Sequence, residues 1–225
     1  MPGVSYFEFL LQHAPQFADG ALVTAQQAVL AALLATATAL VAGLLRLASF
    51  APLRWVAATY VEVLRGTSLL VQLYWIFFVL PLLGLSFDKF TAGFVAVGMN
   101  LGAYGAELVR GSILAVPRGQ WEAALALNMS PARRMLRIIL PQAVAIGLPA
   151  WGNLMIELLK GTALVSLIAV ADLMFVAKQI NGSTFLSAQA FGTALILYYV
   201  MARFLLTPTM RTLERALARR MGRAA

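Results

Sequence analysis

The chain has 225 residues, 61% hydrophobic and only 12% charged, with a formal net charge of +8 and a mean hydropathy of +0.84. So few polar groups cannot cover a soluble globule of this size, and an all-α integral membrane protein is the expected class. The absence of cysteine excludes disulfide frameworks, thiolate zinc sites and a cysteine nucleophile.

Residues 1–20 carry Glu8 and Asp19 without a basic start, so they do not read as a cleaved signal peptide. They are expected to form a lead-in segment, in which Tyr6, Phe7, Phe9, Leu10 and Leu11 suit a short helix in the membrane interface. The single histidine, His13, is given no role. The first stretch that reaches the roughly 20 apolar residues needed to span runs from Ala21 to Leu47. Its Thr24, Gln26, Gln27, Thr36 and Thr38 suit packing against other helices better than contact with lipid.

Arg46 and Arg54 bracket a short loop containing Pro52, and a second span follows from Ala57 to the Leu80-Pro81 stop. A third runs from Phe90 to Val109, and a fourth from Gln142 to Val170, broken by Pro149 and several glycines. Asp172, Lys178, Gln179, Asn181 and Ser183 mark a loop. A fifth span, Phe185 to Leu206, ends before Pro208 and leads into a basic helix with Arg211, Glu214, Arg215, Arg219 and Arg220. Five spans put the termini on opposite sides.

Lysine and arginine collect in cytoplasmic loops. Here they lie after the first span (Arg46, Arg54), after the third (Arg118, Arg133, Arg134, Arg137) and in the tail, against only Lys89 and Lys178 in the opposite loops. The N-terminus is therefore expected outside and the C-terminus inside. That distribution accounts for the basic balance and makes a nucleic-acid partner a poor fit.

Between the third and fourth spans lies a polar and basic interruption, Glu122 to Ala143. Glu122, Leu125 and Met129 recur at helical spacing, so Gln120 to Leu127 is expected to form a short amphipathic helix. Asn128 tolerates the left-handed conformation that closes a helix, and Ser130-Pro131 reads as an N-cap and first-turn pair. The second short helix should expose Arg133, Arg134 and Arg137 and end near Leu140-Pro141. Such a helix pair below a membrane domain suits a groove in another protein.

A pattern of acid, two residues, base, Gly, hydroxyl occurs three times: Glu62-Arg65-Gly66-Thr67, Glu107-Arg110-Gly111-Ser112 and Glu157-Lys160-Gly161-Thr162. Acid and base three apart are helical neighbours, and pairing offsets the several kcal/mol, roughly 2.5–3.5, of placing a charge in hydrocarbon. Glu157 and Lys160 are far from both ends of their span, where ionisable groups usually face a cavity; an internal ion pair is the alternative. Asn153 lies four residues before Glu157, on the same helix face. Asn100, Glu107, Asn153, Glu157 and Lys160 form the candidate lining of a translocation path. No glycine-rich phosphate loop, paired-histidine helix or cluster of metal ligands is present, so no cofactor is expected in this chain.

Glu122-Ala123-Ala124, Asn128 and Leu140-Pro141 resemble the EAA loop of bacterial ABC importer permeases, with Asn128 where that pattern has glycine. The flanking Glu62–Thr67, Tyr104–Gly111, Val116–Gln120 and Gly152-Asn153 resemble the branch importing polar amino acids, opines and related solutes. The resemblance implies a five-span type-1 permease domain over residues 21–215, with the loop at 119–141 and a basic tail at 216–225. It implies ATPase contact through Glu122, Ala123, Ala124, Leu125, Asn128, Met129, Ser130, Pro131 and Arg133. It also implies two cytosolic ATPase subunits holding ATP and magnesium, a second permease copy or paralogue, and an external solute-binding protein, all at the bacterial inner membrane. This chain would itself be no enzyme. An ectoine-like compatible solute or an opine is the alternative cargo. A secondary transporter is the more distant alternative, and a membrane anchor would need no Asn100, Asn153 or Glu157 at depth.

Overall fold

A computed structural model describes residues 5–220, and all regular structure among them is helical. Ten α-helices follow one another: α1 Tyr6–Leu45, α2 Ala51–Gly66, α3 Leu69–Tyr74, α4 Lys89–Leu114, α5 Arg118–Ala126, α6 Pro131–Arg134, α7 Leu140–Gly161, α8 Leu173–Thr184, α9 Ser187–Val200 and α10 Thr207–Arg220. Among the described residues, four helical stretches are long and apolar enough to cross a membrane: 6–45, 89–114, 131–168 and 187–216. A fifth crossing is available if the bent pair α2 and α3 counts as one span.

α4 sits at the centre, packed along α1 and α7. Close approach to α1 is set by small residues: Ala31, Ala35 and Ala39 of α1 are fully buried, as are Ala92, Ala96, Ala103 and Ala106 of α4. A Cβ on Gly98 would stand 3.0 Å from the Ala31 carbonyl oxygen, and one on Gly102 would collide with the Thr38 hydroxyl. Backbones this close gain dispersion contacts that lipid cannot supply.

Several expected boundaries differ. The lead-in at 1–20 is not a separate segment from Tyr6 onward, because α1 runs unbroken for 40 residues with Pro15 inside it. Phe9 and Phe17 hold that extension down by packing on Leu173, Val176, Ala177, Ala190 and Ala194 of α8 and α9. The polar stretch expected as a loop at 172–183 is α8 itself, started by the Asp172 carboxylate accepting from the Phe175 amide at 2.9 Å. A short polar helix reads as a loop when its cap is not recognised.

The second span is not straight. The helical stretches 51–66 and 69–83, which hold α2 and α3, are bent by 107° to one another, with Thr67 extended at φ −119° and ψ 156°. Helix ends free carbonyls, and Gln72 repairs this one, its amide donating to Leu64 O at 2.8 Å and to the Thr67 hydroxyl at 2.7 Å. The fourth span is not broken at Pro149, which lies inside α7; the change comes at Thr162–Ile168, a tighter 3₁₀ stretch closed by Ala169 at φ 59°.

Three prolines expected to stop helices each follow a wide π turn; at Pro81 the stop holds, with one 3₁₀ turn to Leu83 before Gly84 at φ 87°, but at Pro141 and Pro208 the helix continues. Leu80, Leu140 and Thr207, each immediately before a proline, donate to Trp75, Met135 and Ala202, five residues back. Proline lacks a donor and its ring crowds the preceding turn; widening that turn lets the helix proceed. Hence α6 passes into α7 without the expected end at Leu140-Pro141, and α9 passes into α10 without the expected stop before Pro208. The basic helix after the fifth span is thus its continuation. The tail expected at 216–225 is helical to Arg220, and residues 221–225, with Arg223, lie outside the described part.

The bend at Asn128 is present as expected. Its φ is 51°, its amide donates to Leu125 O at 2.8 Å, and Met129 donates to Ala124 O at 3.1 Å. Left-handed backbone costs an ordinary side chain about 1–2 kcal/mol, less for asparagine and nothing for glycine. Asn128→Gly should therefore match or slightly exceed the wild-type unfolding temperature in detergent, whereas Asn128→Ile should fall below it by that order of energy. Equal midpoints for the two variants would refute the turn's role.

Candidate functional site

The α5–α6 loop is held rigidly against the bundle from inside. Trp121 and Met135 pack with the buried Ile113, Val116, Ile139 and Ala143, and Gln142 donates to the Gln120 side chain at 3.1 Å. Ala124 is only 3% exposed, so of the predicted contact residues it alone turns fully inward and supports the loop instead of lining its surface. Arg134 is also not on the exposed side, because its guanidinium lies over the Trp121 ring at 5.6 Å. Small size at position 124 is what lets α5 lie this close.

The outer face carries Glu122, Ala123, Asn128, Ser130, Pro131 and Arg133, with Met129 half-buried at its edge. Leu125, Leu127 and Leu136 are 57%, 75% and 64% exposed there. Exposed leucines rimmed by an acid and arginines make an amphipathic ledge of the kind that seats in a protein groove.

The five path candidates separate into three groups. Asn153, Glu157 and Lys160 share one exposed face of α7, and the Lys160 ammonium donates to Glu157 at 2.8 Å. Their side chains are 62% and 59% exposed, so the pair holds no second helix of this chain. Asn100 is turned into the bundle. It is 5% exposed, and its amide donates to Leu64 O at 2.9 Å and to Gln72 at 3.1 Å, tying α4 to the bend between α2 and α3. Glu107 is likewise committed: Arg46 of α1 pairs with it directly, and Arg65 and Arg110 approach to 3.8 Å. It joins α1, α2 and α4 at the end of the bundle nearest the loop.

A second polar knot is invisible to sequence spacing. At the far end, the fully buried Asp172 accepts from the Tyr198 hydroxyl at 3.1 Å, Thr24 accepts from the Leu173 amide at 3.0 Å, and Lys178 donates to Ser166 at 3.0 Å. Its members come from four elements. Only the three-residue spacing from Asp172 to Phe175 carried a local signal, that of an N-cap.

The model of binding-protein-dependent transport system inner membrane components matches residues 21–222, and the chain belongs to that family. It is a multi-pass membrane permease subunit of the ABC type. The L-cystine transport system permease protein TcyB of Bacillus subtilis is 36% identical over 91% of this chain and 88% of its own. The arginine transport system permease protein ArtQ of the same organism is 34% identical over 94% and 96%. A crystal structure of an amino acid ABC transporter with histidines is 36% identical with a TM-score of 0.87, covering 95% of this chain and 99% of that one. The MetNI methionine ABC transporter, at 19% identity and a TM-score of 0.78, shares the fold, covering 92% of this chain and 98% of that one. This membership disfavours the secondary-transporter and anchor alternatives.

Burial pushes the Asp172 carboxyl up to about 6, against the opposing pull of the Phe175 amide, the Tyr198 hydroxyl and the Lys178 charge. The folded state thus holds this proton more tightly than the unfolded chain does. The resulting stabilisation is complete below about pH 4 and is lost as pH rises through about 6. Between those limits the wild type should lose roughly 2 kcal/mol or less that Asp172→Asn does not lose. Unfolding midpoints in detergent across that range would read it, and parallel pH slopes for the two proteins would refute it.

Proposed function

We propose that the chain is the membrane permease of an ATP-driven, binding-protein-dependent importer for a polar amino acid or a similar small zwitterionic solute. The observation that carries this reading is the unbroken helix from Pro131 to Gly161, which joins the exposed loop to the face bearing Asn153, Glu157 and Lys160. A push on the loop moves that face as one body. Glu157 and Lys160 together offer a carboxylate and an ammonium, complementary to the two charges of an amino acid, and a solute could exchange its own charges for their mutual pairing. Relatives named for cystine, arginine and glutamine fit a zwitterionic cargo. An ectoine-like solute or an opine has the same mixed charge.

In this reading the N-terminus is outside and the loop and C-terminus are cytoplasmic, in a bacterial inner membrane, since the arginines cluster at the loop end. Cytosolic ATPase subunits, which hold ATP and magnesium, seat the ledge of Glu122, Ala123, Leu125, Asn128, Met129, Ser130, Pro131 and Arg133. A second permease copy or paralogue completes the path, and an external binding protein delivers the solute. ATP-driven closure then alternates the opening between the two sides.

Glu122 is exposed and makes no bond within the described chain, so Glu122→Lys should leave folding unchanged while cutting coupled uptake by an order of magnitude or more. Reconstituted transport and ATP hydrolysis would measure this, and wild-type rates for both would remove the loop assignment. Replacing both Glu157 and Lys160 by Leu and Met should leave assembly and basal ATP hydrolysis intact, because their pair bridges no helices in this chain. Uptake should be lost or shift its preference among charged solutes. Normal uptake and selectivity would take the pair off the path.

A further inference from the structure

The turn between α1 and α2 and the flank of α4 enclose a recess of about 240 Å³ lined by Arg46, Arg54, Trp55, Ala58 and Arg110. It lies at the loop end of the bundle, since Leu47, one residue after Arg46, packs against the cluster that includes Val116 and Trp121. Around it are four guanidinium groups, Arg46, Arg54, Arg65 and Arg110, and two carboxylates, Glu62 and Glu107. Glu107 takes Arg46 as its direct partner and is shared at 3.8 Å with Arg65 and Arg110. Arg54 has no carboxylate within ion-pair distance among the described residues, and its one bond is to Ala48 O at 3.4 Å. Two positive charges are therefore left over: Arg54 pairs with no carboxylate among the described residues, and Arg110 has only its 3.8 Å share of Glu107, while both line the recess.

The walls say what kind of anion fits. Trp55 is 70% exposed at the mouth, and Phe50 and Val56 beside it are 62% and 69% exposed. Tryptophan with bare apolar neighbours, at the point where one spanning helix ends and the next begins, is the signature of the headgroup level of a bilayer. The start of α2, where Phe50 supplies no capping side chain, adds the positive end of a helix dipole near Arg54 and Trp55. Basic pockets between membrane helices take phosphodiester headgroups, whose acyl chains would here run out over Trp55 and Val56.

We propose that this recess binds the phosphodiester headgroup of an anionic phospholipid, held by Arg54 and Arg110 and flanked by Trp55. Arg46, which lines the recess, pairs with Glu107 and so joins α1 to α4 there. An occupied site links the lipid to the base of α4, immediately before the loop. The proposal requires only that the chain spans the membrane with this end at one surface, and holds whatever the solute.

The test uses the full chain purified in detergent, in whatever assembly it forms, with native mass spectrometry counting bound phosphatidylglycerol or cardiolipin against phosphatidylethanolamine. Wild type should retain anionic lipid selectively and gain thermal stability from it. Arg54→Gln with Arg110→Gln should weaken that retention about tenfold or more, while Arg211→Gln with Arg215→Gln, which removes equal charge from the exposed end of α10, should leave it unchanged. Equal loss in both double variants would overturn the site, since it would show attraction to net charge alone. Saturation by inorganic phosphate with no further effect of lipid would overturn the lipid as occupant. Undiminished lipid retention in the Arg54, Arg110 variant would do the same. Should that double variant not fold, Trp55→Ala keeps every charge and must still lower selective retention for the proposal to stand.

Discussion

The close approach of α1 and α4 is the contact on which the other packing depends. Lipid tails are as apolar as leucine, so helices in a bilayer gain little from hiding hydrocarbon and much from fitting closely. Alanines on α1 and alanines and glycines on α4 allow that fit, and the seam they form is long enough to carry a polar tie at each end. At one end Arg46 reaches Glu107; at the other Gln27 donates to Phe90 O at 2.8 Å. Wider spacing would break both ties and leave charged or amide groups stranded, at a cost of several kcal/mol each. α7, the α2–α3 bend and α8 then have a fixed frame to pack on.

Against this frame, the prolines have a mechanical consequence. A proline stop at residue 141 would have made a hinge between the loop and the fourth span, and a displacement at the loop would have been absorbed there. The π turn at Met135–Ile139 keeps the backbone bonded across that position, at the expense of a locally wider helix. The change of helix type comes instead beyond Gly161, where the chain tightens into a 3₁₀ stretch and reverses at Ala169. α7 therefore runs without a backbone break from the loop to the end of the bundle that holds the Asp172 knot.

Much of this was legible before any coordinates. Apolar run lengths located the crossings, and Asn128, Ser130 and Pro131 located the bend, because each carries its conformational preference locally. What escaped has a common physical origin. The bend at Thr67 depends on Gln72 and Asn100 capturing the Leu64 carbonyl, a partnership between residues far apart in the chain. Pro141 and Pro208 read as stops because proline breaks the standard α-helical bond, and only a wider turn, which no residue pattern announces, lets the helix continue. Ala124 looked like part of a contact surface because helical phase alone cannot tell which face a neighbouring helix covers. Asp172 looked like loop polarity because its partners Thr24 and Tyr198 come from other helices.

The thrice-repeated acid–base pattern shows how little a local motif fixes by itself. In α2, Glu62 is largely exposed and stands 3.8 Å from Arg46, while Arg65 lies over the Tyr104 ring at 5.2 Å; neither finds its own partner three residues away. In α4, Glu107 leaves Arg110 at 3.8 Å and takes Arg46 from α1. Only in α7 do Glu157 and Lys160 pair within the helix, at 2.8 Å. The order follows competition: where another helix brings an arginine within reach, the interhelical pair forms and the helix-mate is left at a longer distance or unpaired with it. Among the described residues no such competitor reaches Glu157, so its pair stays local. Opening that pair dismantles no helix contact within the described chain, whereas opening the Glu107 pair would cost the joint between α1 and α4.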